Sequence, residues 1–328
     1  MFSKRIEFAQ RKFGPLFSRD SEAIFFNPET PSHCLSLSLD ELVAYQTLFP
    51  VVDQLETAGI KCVQIISQCK FNLAVISIPK SKKLARHLIY LATKAVPEGL
   101  IIVDGNKSDG IESIIRDLEK KIKITNVISK AHGKTTWFET PADLEMYKDI
   151  PLKIEDGFET QAGVFSSDGV DPASKLLIEL LPRDLKGVGA DLGGGWGYLS
   201  AKALETNSIR ELHFIEADFT AMSLAKNNLN DKRLKFHWCD ALKWKAPKLL
   251  DFIIMNPPFH HLGRAIPTLG VDFIKVASRN LKKSGTLWMV ANRHLPYEDA
   301  IQRHFSSFSE LSRSKKFKVI RAQNPINF

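Results

Sequence analysis

The stretch that decides the fold is GVGADLGGGWGYLS, residues 187–200. Small and apolar residues at its start predict a buried strand, and YLSAKALE at its end predicts a helix. Between them lie Gly193, Gly194, Gly195 and Gly197. Glycine adopts the positive-φ conformations of tight turns and lets the main chain approach a ligand closely. The stretch therefore predicts a strand, a ligand-binding loop and a helix in succession.

Strand-like and helix-like segments alternate on both sides of this loop. ELHFIEAD, LKFHWCDAL, LDFIIMN and GTLWMVAN have the composition of strands, whereas FTAMSLAKNNL and GVDFIKVASRNL have helical patterns. FKVIRAQ is read as a late strand, in a final sheet hairpin. The charges of this hairpin, on Lys315, Lys316, Lys318 and Arg321, are expected to face solvent or phosphate. Such alternation predicts an α/β fold with a Rossmann-like, doubly wound sheet, whose ligand crevice lies at the carboxyl ends of the strands.

Acidic side chains follow three of these strands. Asp191 ends the first strand, Glu216 ends the second and Asp240 follows the third. An acid in the place of Glu216 hydrogen-bonds ribose hydroxyls in dinucleotide sites, so NAD is one candidate ligand. The run D-x-G-x-G-x-G differs, however, from the dinucleotide GxGxxG. An acidic rim repels a pyrophosphate and favours S-adenosylmethionine, which carries a cation and no phosphate. Asp240 either accepts from the adenine amino group or caps a helix.

The fourth strand runs into a second motif, FIIMNPPFHH, residues 252–261. Proline cannot donate to a sheet ladder, so the strand must end at Asn256. The side-chain oxygen of Asn256 and the carbonyl of Pro257 can accept from an exocyclic amine, and Phe259 offers a surface for base stacking. An Asn-Pro turn alone is common. After a fourth strand that follows a methyl-donor site, it predicts methyl transfer by alignment of the amine.

The first half of the chain has a similar but weaker alternation of strand-like and helix-like segments. CVQIIS, FNLAVISIP and GLIIVDG are predicted strands, and KKLARHLIYLATKA is a predicted helix. The layout of GLIIVDGNKSDGIESIIRDLEKK, residues 99–121, parallels the glycine-loop stretch but has fewer glycines. We interpret the two halves as copies of one α/β domain, of which the first has lost its ligand pocket. The alternative is that the first half is an unrelated α/β domain. The expected domains are 1–145 and 146–328, the second catalytic.

Composition narrows the class of protein. The chain has 328 residues, 44% hydrophobic and 25% charged, as in ordinary globular proteins. Its four cysteines lack CxxC spacing, which argues against a zinc site and favours the cytoplasm. No apolar run approaches the ~18 residues of a membrane span. Residues 275–328 carry 11 basic and 3 acidic side chains, which suggests a polyanionic partner unless they form a merely solvated surface.

Together these motifs resemble one family. GVFSSDGVDPASKLLIELLP (163–182), DLGGGWGYLS, NPPFHHLG and VANRHLPYEDAIQRHFSSFSEL (290–311) are similar to stretches of the small-subunit ribosomal RNA guanine-N2 methyltransferases of the methyltransferase C type. The resemblance covers nearly all of residues 160–328. In the first half it is loose. It implies a duplicated architecture with a degenerate, non-catalytic amino-terminal domain, and methylation of a guanine N2 in 16S rRNA, in an assembled small ribosomal subunit.

The resemblance also implies site residues, with S-adenosylmethionine as donor and no metal. The catalytic loop would be Asn256, Pro257, Pro258 and Phe259. The donor would be held by Asp191, Gly193, Gly195, Gly197, Glu216 and Asp240, with Phe165 and Ser166 against donor or base. The chain departs from the family at Trp196, His261 and Leu262. Rival substrates are adenine N6, a glutamine amide or a large-subunit guanine, and a non-catalytic RNA-binding assembly factor is the other class.

Overall fold

The computed structural model describes residues 2–67, 71–124, 126–140, 144–258, 260–261, 264–265, 267–312 and 314–326, with the main chain alone at 260, 261, 264, 265 and 267. Its contacts divide the chain into two compact units, Met1–Pro151 and Leu152–Phe328. The division falls later than residue 145 because Tyr147 is buried in the core of the first unit.

The first unit contains five α-helices and seven strands within its described residues. The helices are α1 (Phe2–Phe13), α2 (Pro31–Leu35), α3 (Phe49–Thr57), α4 (Lys82–Ala95) and α5 (Ile111–Glu119), with short 3-10 turns at Lys107–Asp109 and Glu145–Tyr147. The strands are β1 (Ala23–Phe26), β2 (Leu42–Tyr45), β3 (Lys61–Val63), β4 (Leu73–Ser77), β5 (Leu100–Asn106), β6 (Asn126–Lys130) and β7 (Gly133–Glu139).

The second unit is a larger version of the same arrangement. It begins with β8 (Leu152–Lys153), a 3-10 turn at Glu155–Gly157 and β9 (Glu159–Thr160). Its helices are α6 (Pro172–Leu180), α7 (Tyr198–Ala203), α8 (Phe219–Asn228), α9 (Pro267–Asn280) and α10 (Glu298–His304). Its further strands are β10 (Gly187–Leu192), β11 (Ile209–Glu216), β12 (Leu234–Trp238), β13 (Leu250–Met255), β14 (His260–His261), β15 (Arg264–Ala265), β16 (Leu281–Asn292), β17 (Phe305–Glu310) and β18 (Phe317–Pro325).

The two large sheets have the same strand order. The first runs β3-β2-β1-β4-β5-β7-β6 and the second β12-β11-β10-β13-β16-β18-β17. In each sheet the first five strands are parallel and the last two pair antiparallel. The predicted α/β fold and the final β17–β18 hairpin are confirmed, and the first unit contains a complete copy of the sheet.

Strand register identifies which positions of the two copies correspond. Phe26 pairs with Tyr45 as Leu192 pairs with Ile215. The amide of Asn27 donates to the Tyr45 carbonyl at 2.8 Å, and the amide of Gly193 donates to the Ile215 carbonyl at 2.9 Å. Both Asn27 and Gly193 have left-handed φ, 58° and 77°. The first copy of the glycine loop is therefore the segment that begins at Asn27.

This register corrects the proposed parallel between residues 99–121 and the glycine-loop stretch. GLIIVDG forms β5, which is the counterpart of β16 and not of β10. Asp104 on β5 is buried and pairs with Arg5 of α1, through a 2.7 Å bond from Arg5 Nε and a second bond from Nη2. A strand ending in Asp-Gly is too short a signal to distinguish a ligand loop from an acid that neutralises a buried arginine.

Both sheets are buried on their two faces by helices. The central strands β4 and β13 consist almost wholly of buried apolar residues, which is the pattern of parallel strands covered on both sides. Within the described residues, no helix has the length and apolar content needed to cross a membrane.

Candidate active site

A recess lies where β10 and β13 of the second unit end. It brings together five of the predicted site residues with two that the sequence did not single out, and its lining includes Phe165, Ser166, Asp171, Ser174, Gly193, Gly195, Trp196 and Asn256. Parallel strands present their carboxyl ends at one edge, so residues far apart in sequence meet there. The predicted crevice thus lies where the doubly wound fold requires it.

Glu216 fixes the glycine loop from the neighbouring strand. Its Oε2 accepts from the amide of Gly195 and its Oε1 accepts from the amide of Asp218, each at 2.8 Å. Burial raises the pKa of Glu216 to about 7, against the lowering effect of these amide donors. A side chain at Gly195 would meet nothing within 4 Å. The main chain of the loop is accordingly open on that side.

Asp191 lies at the end of β10 and is fully buried. Its Oδ2 accepts from the hydroxyl of Ser200 at 2.7 Å, while Oδ1 has no hydrogen-bond partner among the described residues. Burial raises the pKa of Asp191 to about 7, and the nearby charge of Glu216 acts in the same direction. Two carboxyl groups with raised pKa values therefore lie side by side under the loop.

Gly197 and Asp240 have local structural roles that sequence reasoning left open. Gly197 has φ 104° before α7, and a side chain there would clash with Leu229 at 2.7 Å. Asp240 follows β12 and its Oδ1 accepts from the amide of Leu242 at 2.8 Å, so it caps a turn and not a helix. Both still lie beside the ends of the strands that carry the loop and Glu216.

A segment before α6 packs onto the glycine loop. Trp196 is buried against Phe158, and its Nε1 donates to the carbonyl of Phe165 at 2.9 Å. Asn228 of α8 donates to the carbonyls of Glu159 and Trp196, at 3.0 and 2.9 Å. Sequence reasoning missed Asn228, which has no motif of its own. The indole of Trp196, a departure from the family pattern, thereby ties GVFS to the loop.

Within GVFS, the two predicted residues differ in their constraints. Phe165 is exposed at 57% although it is apolar, and it lines the recess. Ser166 has φ 53° and its hydroxyl donates to the Gly169 carbonyl at 2.7 Å. A left-handed serine costs roughly 1 kcal/mol and is retained where the surroundings impose it. The turn holds the ring of Phe165 beside the recess.

The Asn-Pro-Pro motif follows β13 directly. Asn256 is half-buried, Pro257 is buried and Pro258 is exposed. Phe259 lies outside the described residues. The main chain of His260 and His261 forms β14, paired antiparallel with β15. The predicted end of the strand at Asn256 is thus observed, and its side chain faces the recess.

The carboxamide of Asn256 is held by two residues at the start of α6. Its Nδ2 donates to Asp171 Oδ2 and to Ser174 Oγ, both at 2.9 Å. Asp171 also caps α6 by accepting from the amide of Ser174 at 2.8 Å. Sequence reasoning missed both residues. The available signal was the sequence DPAS, an N-cap acid followed by proline at the first helical position.

The basic end of the chain is only partly a surface. Lys318, expected to face solvent or phosphate, is 2% exposed and pairs with Glu298 while donating to the Leu295 carbonyl at 2.6 Å. That expectation was wrong, because Lys318 is on the inward face of β18. Arg321 packs over the ring of Trp288. Lys315 and Lys316, in contrast, are exposed and line a groove with His294.

Comparison with known proteins places this geometry in a family. The family model described as "Methyltransferase small domain" matches residues 155–321. The ribosomal RNA small subunit methyltransferase C of Shewanella loihica is 32% identical over 282 residues, which are 80% of this chain and 81% of that protein. The chain belongs to the ribosomal RNA small subunit methyltransferase C family. The resemblance drawn from GVFS, the glycine loop and NPPF is confirmed.

Related proteins extend the comparison beyond methyltransferase C. A ribosomal RNA large subunit methyltransferase G of Yersinia pestis is 29% identical over 330 residues, covering 96% of this chain and 79% of that protein. A solved structure, described as a T. thermophilus 16S rRNA N2 methyltransferase in complex with AdoMet and guanosine, superposes with a TM-score of 0.77 at 21% identity. The superposition covers 97% of this chain and 91% of the solved chain, so both units of the present chain share the fold of that structure.

Proposed function

We propose that the protein transfers the methyl group of S-adenosylmethionine to the exocyclic N2 amine of a guanine in small-subunit ribosomal RNA. The observation that carries the proposal is the placement of Asn256. Its carboxamide lies at the end of β13, lines the same recess as the glycine loop, and has its NH2 group engaged by Asp171 and Ser174. That arrangement leaves Oδ1 as an acceptor for a substrate amine.

The residues under the glycine loop fit the proposed donor. Asp191 Oδ1 is a buried acceptor without a partner in the described chain, and Glu216 accepts from the amides of Gly195 and Asp218 with lone-pair capacity left for a ligand. Acceptors of this kind suit ribose hydroxyls and an amine, and they would repel a phosphate. When bound, S-adenosylmethionine supplies an electrophilic methyl group. Asp191, Gly193, Gly195, Glu216 and Asp240 would hold it, and Gly197 would let the loop turn into α7.

The proposed acceptor site uses alignment instead of a strong base. Asn256 Oδ1 and the Pro257 carbonyl would each accept one hydrogen of the amine, which directs the nitrogen lone pair away from them. Neither group is basic, so their contribution is to hold the nitrogen in line for attack. Phe165, exposed beside the recess, would cover the base or the donor. Phe259 retains its predicted stacking role, and it lies outside the described residues.

We also propose how the ribosomal RNA is held beside the site. Met255 of β13 pairs with Met289 of β16, so Asn292 at the end of β16 lies only two positions beyond the level of Asn256. Strand spacing and rise put the groove of Lys315, Lys316 and His294 roughly 10 Å from Asn256. Cations at that distance can bind the phosphates that flank a nucleotide extruded into the recess.

The setting of the reaction follows from its substrate. We place the protein in the cytoplasm, acting on the assembled small ribosomal subunit, with the first unit as a degenerate methyltransferase-like domain that supports or recognises RNA. A large-subunit guanine is the second candidate, because a methyltransferase G relative aligns with 96% of the chain. The recess chemistry is the same for both, so only the RNA distinguishes them.

The deciding experiment is nucleoside mass spectrometry on unmodified small and large subunits incubated with the protein and S-adenosylmethionine. New N2-methylguanosine in small-subunit RNA is the expected result, and nuclease mapping then locates the nucleotide. The same nucleoside in large-subunit RNA alone would favour the second candidate. Donor binding without methylation of either RNA would refute both and leave an assembly factor.

A further inference from the structure

We infer that Asp171 is a positioning residue that sets the orientation of the Asn256 carboxamide, with Ser174 as its second support. The inference rests on the proposed function, in which Asn256 Oδ1 accepts from the substrate amine. An asparagine carboxamide has a donor end and an acceptor end of nearly equal size. Only the neighbours of the side chain decide which end faces the substrate.

The hydrogen bonds of the recess decide that orientation. Asp171 Oδ2 and Ser174 Oγ each lie 2.9 Å from Asn256 Nδ2. A carboxylate accepts hydrogen bonds and donates none, so the NH2 end is the only end of the carboxamide that can bond to Asp171. Rotation by half a turn would place Oδ1 against the carboxylate and lose a charge-assisted bond. Asn256 Oδ1 is therefore directed away from α6, as an acceptor.

The carboxylate of Asp171 is itself fixed by the helix that it caps. Its Oδ2 accepts from the amide of Ser174 at 2.8 Å, and Pro172 begins α6. Ser174 is buried, with 7% of its surface exposed. The first turn of α6 thus fixes the carboxamide of Asn256 at the end of β13, 85 residues away in sequence. Asp171 touches Asn256 and acts on the reaction only through it.

Asp171→Ser separates orientation from capping. One oxygen, Asp171 Oδ2, both caps α6 and accepts from Asn256 Nδ2, so an asparagine that kept the cap would keep the orientation too. Serine caps helices about as well as aspartate, so the fold should be retained, but it lacks the carboxylate that fixes the NH2 end of the Asn256 carboxamide. We expect kcat to fall about 10- to 100-fold, as for small misplacements of reacting groups. The KM and the calorimetric Kd for S-adenosylmethionine should stay within about twofold, and the Tm within a few degrees.

An exchanged pair provides the second variant. Asn256→Asp alone sets two carboxylates against each other and should be nearly inactive. Adding Asp171→Asn to that variant introduces an amide that can donate to the new carboxylate, whose other oxygen can still accept from the amine. The exchanged pair should therefore be at least about tenfold more active than Asn256→Asp alone. A residue that served only to cap α6 would give no such restoration.

Each outcome has a defined meaning. An unchanged kcat in Asp171→Ser, a loss that appears in donor affinity or Tm instead of kcat, or an exchanged pair no more active than Asn256→Asp would overturn the inference. The wild-type protein is measured in the same assay. Absence of N2-methylguanosine with the wild type would refute the proposed function, whereas a normal wild-type rate beside an unaffected Asp171→Ser would refute this inference alone.

Discussion

Single polar atoms determine what the recess can do. Asn256 uses both hydrogens of Nδ2 inside the protein, while Glu216 accepts from the amides of Gly195 and Asp218. Under the proposed function, Asn256 would accept from the substrate and Glu216 from the methyl donor. Their roles should be separable by substitution.

Asn256→Ala should reduce turnover without reducing donor binding. Removing the acceptor should lower kcat by about 100- to 1000-fold, the range found when one catalytic hydrogen bond is removed. The Kd for S-adenosylmethionine, measured by calorimetry, should stay within about threefold. Parallel loss of affinity and turnover would contradict the separate acceptor role.

Donor affinity should depend on pH through Glu216. Because burial raises its pKa to about 7, Glu216 is largely protonated at pH 6 and ionised at pH 8. Ribose hydroxyls donate better to the ionised form, so affinity should rise about tenfold between these values. Calorimetry on Glu216→Gln should give weaker binding with a flatter pH profile. If the profile of Glu216→Gln were as steep as that of the wild type, a group other than Glu216 would be responsible for the pH dependence.

At the scale of elements, the β17–β18 end of the sheet contains cations paired with carboxylates as well as exposed lysines. Arg293 is paired with Glu310 and the buried Lys318 with Glu298, whereas Lys315 and Lys316 are exposed in the groove at the end of β16. The charge excess of residues 275–328 therefore overstates the cations available to RNA. Two lysines at one edge carry the RNA-binding proposal.

Reversal of both lysines should weaken RNA binding in a salt-dependent way. Lys315→Glu with Lys316→Glu removes two phosphate contacts, which should flatten the slope of log K against log salt by about 1.4. The matched control is Lys248→Glu with Lys283→Glu, two exposed lysines at the opposite ends of the strands. Filter binding over a salt series should distinguish the two variants, and equal slopes would refute the proposal that RNA binds at the groove.

At the scale of the whole molecule, two sheets of one topology carry different residues at corresponding positions. Register places Gln46 where the second unit has Glu216, and Ser77 where it has Asn256. Gln46 Nε2 donates to the Pro28 carbonyl, and its Oε1 accepts from the amides of Thr47 and Leu48, all at 2.9 Å. The neutral amide of Gln46 thus hydrogen-bonds the main chain of the loop that follows β1.

The 328-residue chain should accordingly bind one donor molecule and not two. Isothermal titration with S-adenosylmethionine should give a stoichiometry of one. Glu216→Lys should abolish binding, because the second unit holds the acidic acceptor, whereas Gln46→Ala should leave the stoichiometry unchanged. A stoichiometry of two, or binding that survives Glu216→Lys, would show that the first copy retains a pocket.

Local sequence predicted those parts of the molecule that depend on local patterns. Helices α4 and α5 and the strand–glycine-loop–helix unit of β10 and α7 follow from periodicity and turn residues, and the family follows from its motifs. Prediction failed where the structural role of a residue depends on partners that are distant in sequence. Residues 99–121 were matched to the glycine-loop stretch because the bond of Asp104 to Arg5, 99 residues away, cannot be recognised from the local sequence. Lys318 was taken for a surface cation for the same reason.

By itself, the sequence determined the α/β class, the second sheet's glycine loop, the Asn-Pro-Pro motif and the methyltransferase family, because each is encoded by residues adjacent in the chain. Only the tertiary structure decided which residues meet at the strand ends. It brought Asp171 to Asn256, turned Lys318 inward and placed Gln46 at the position of Glu216. These outcomes depend on strand order and register, which are set by packing over long separations.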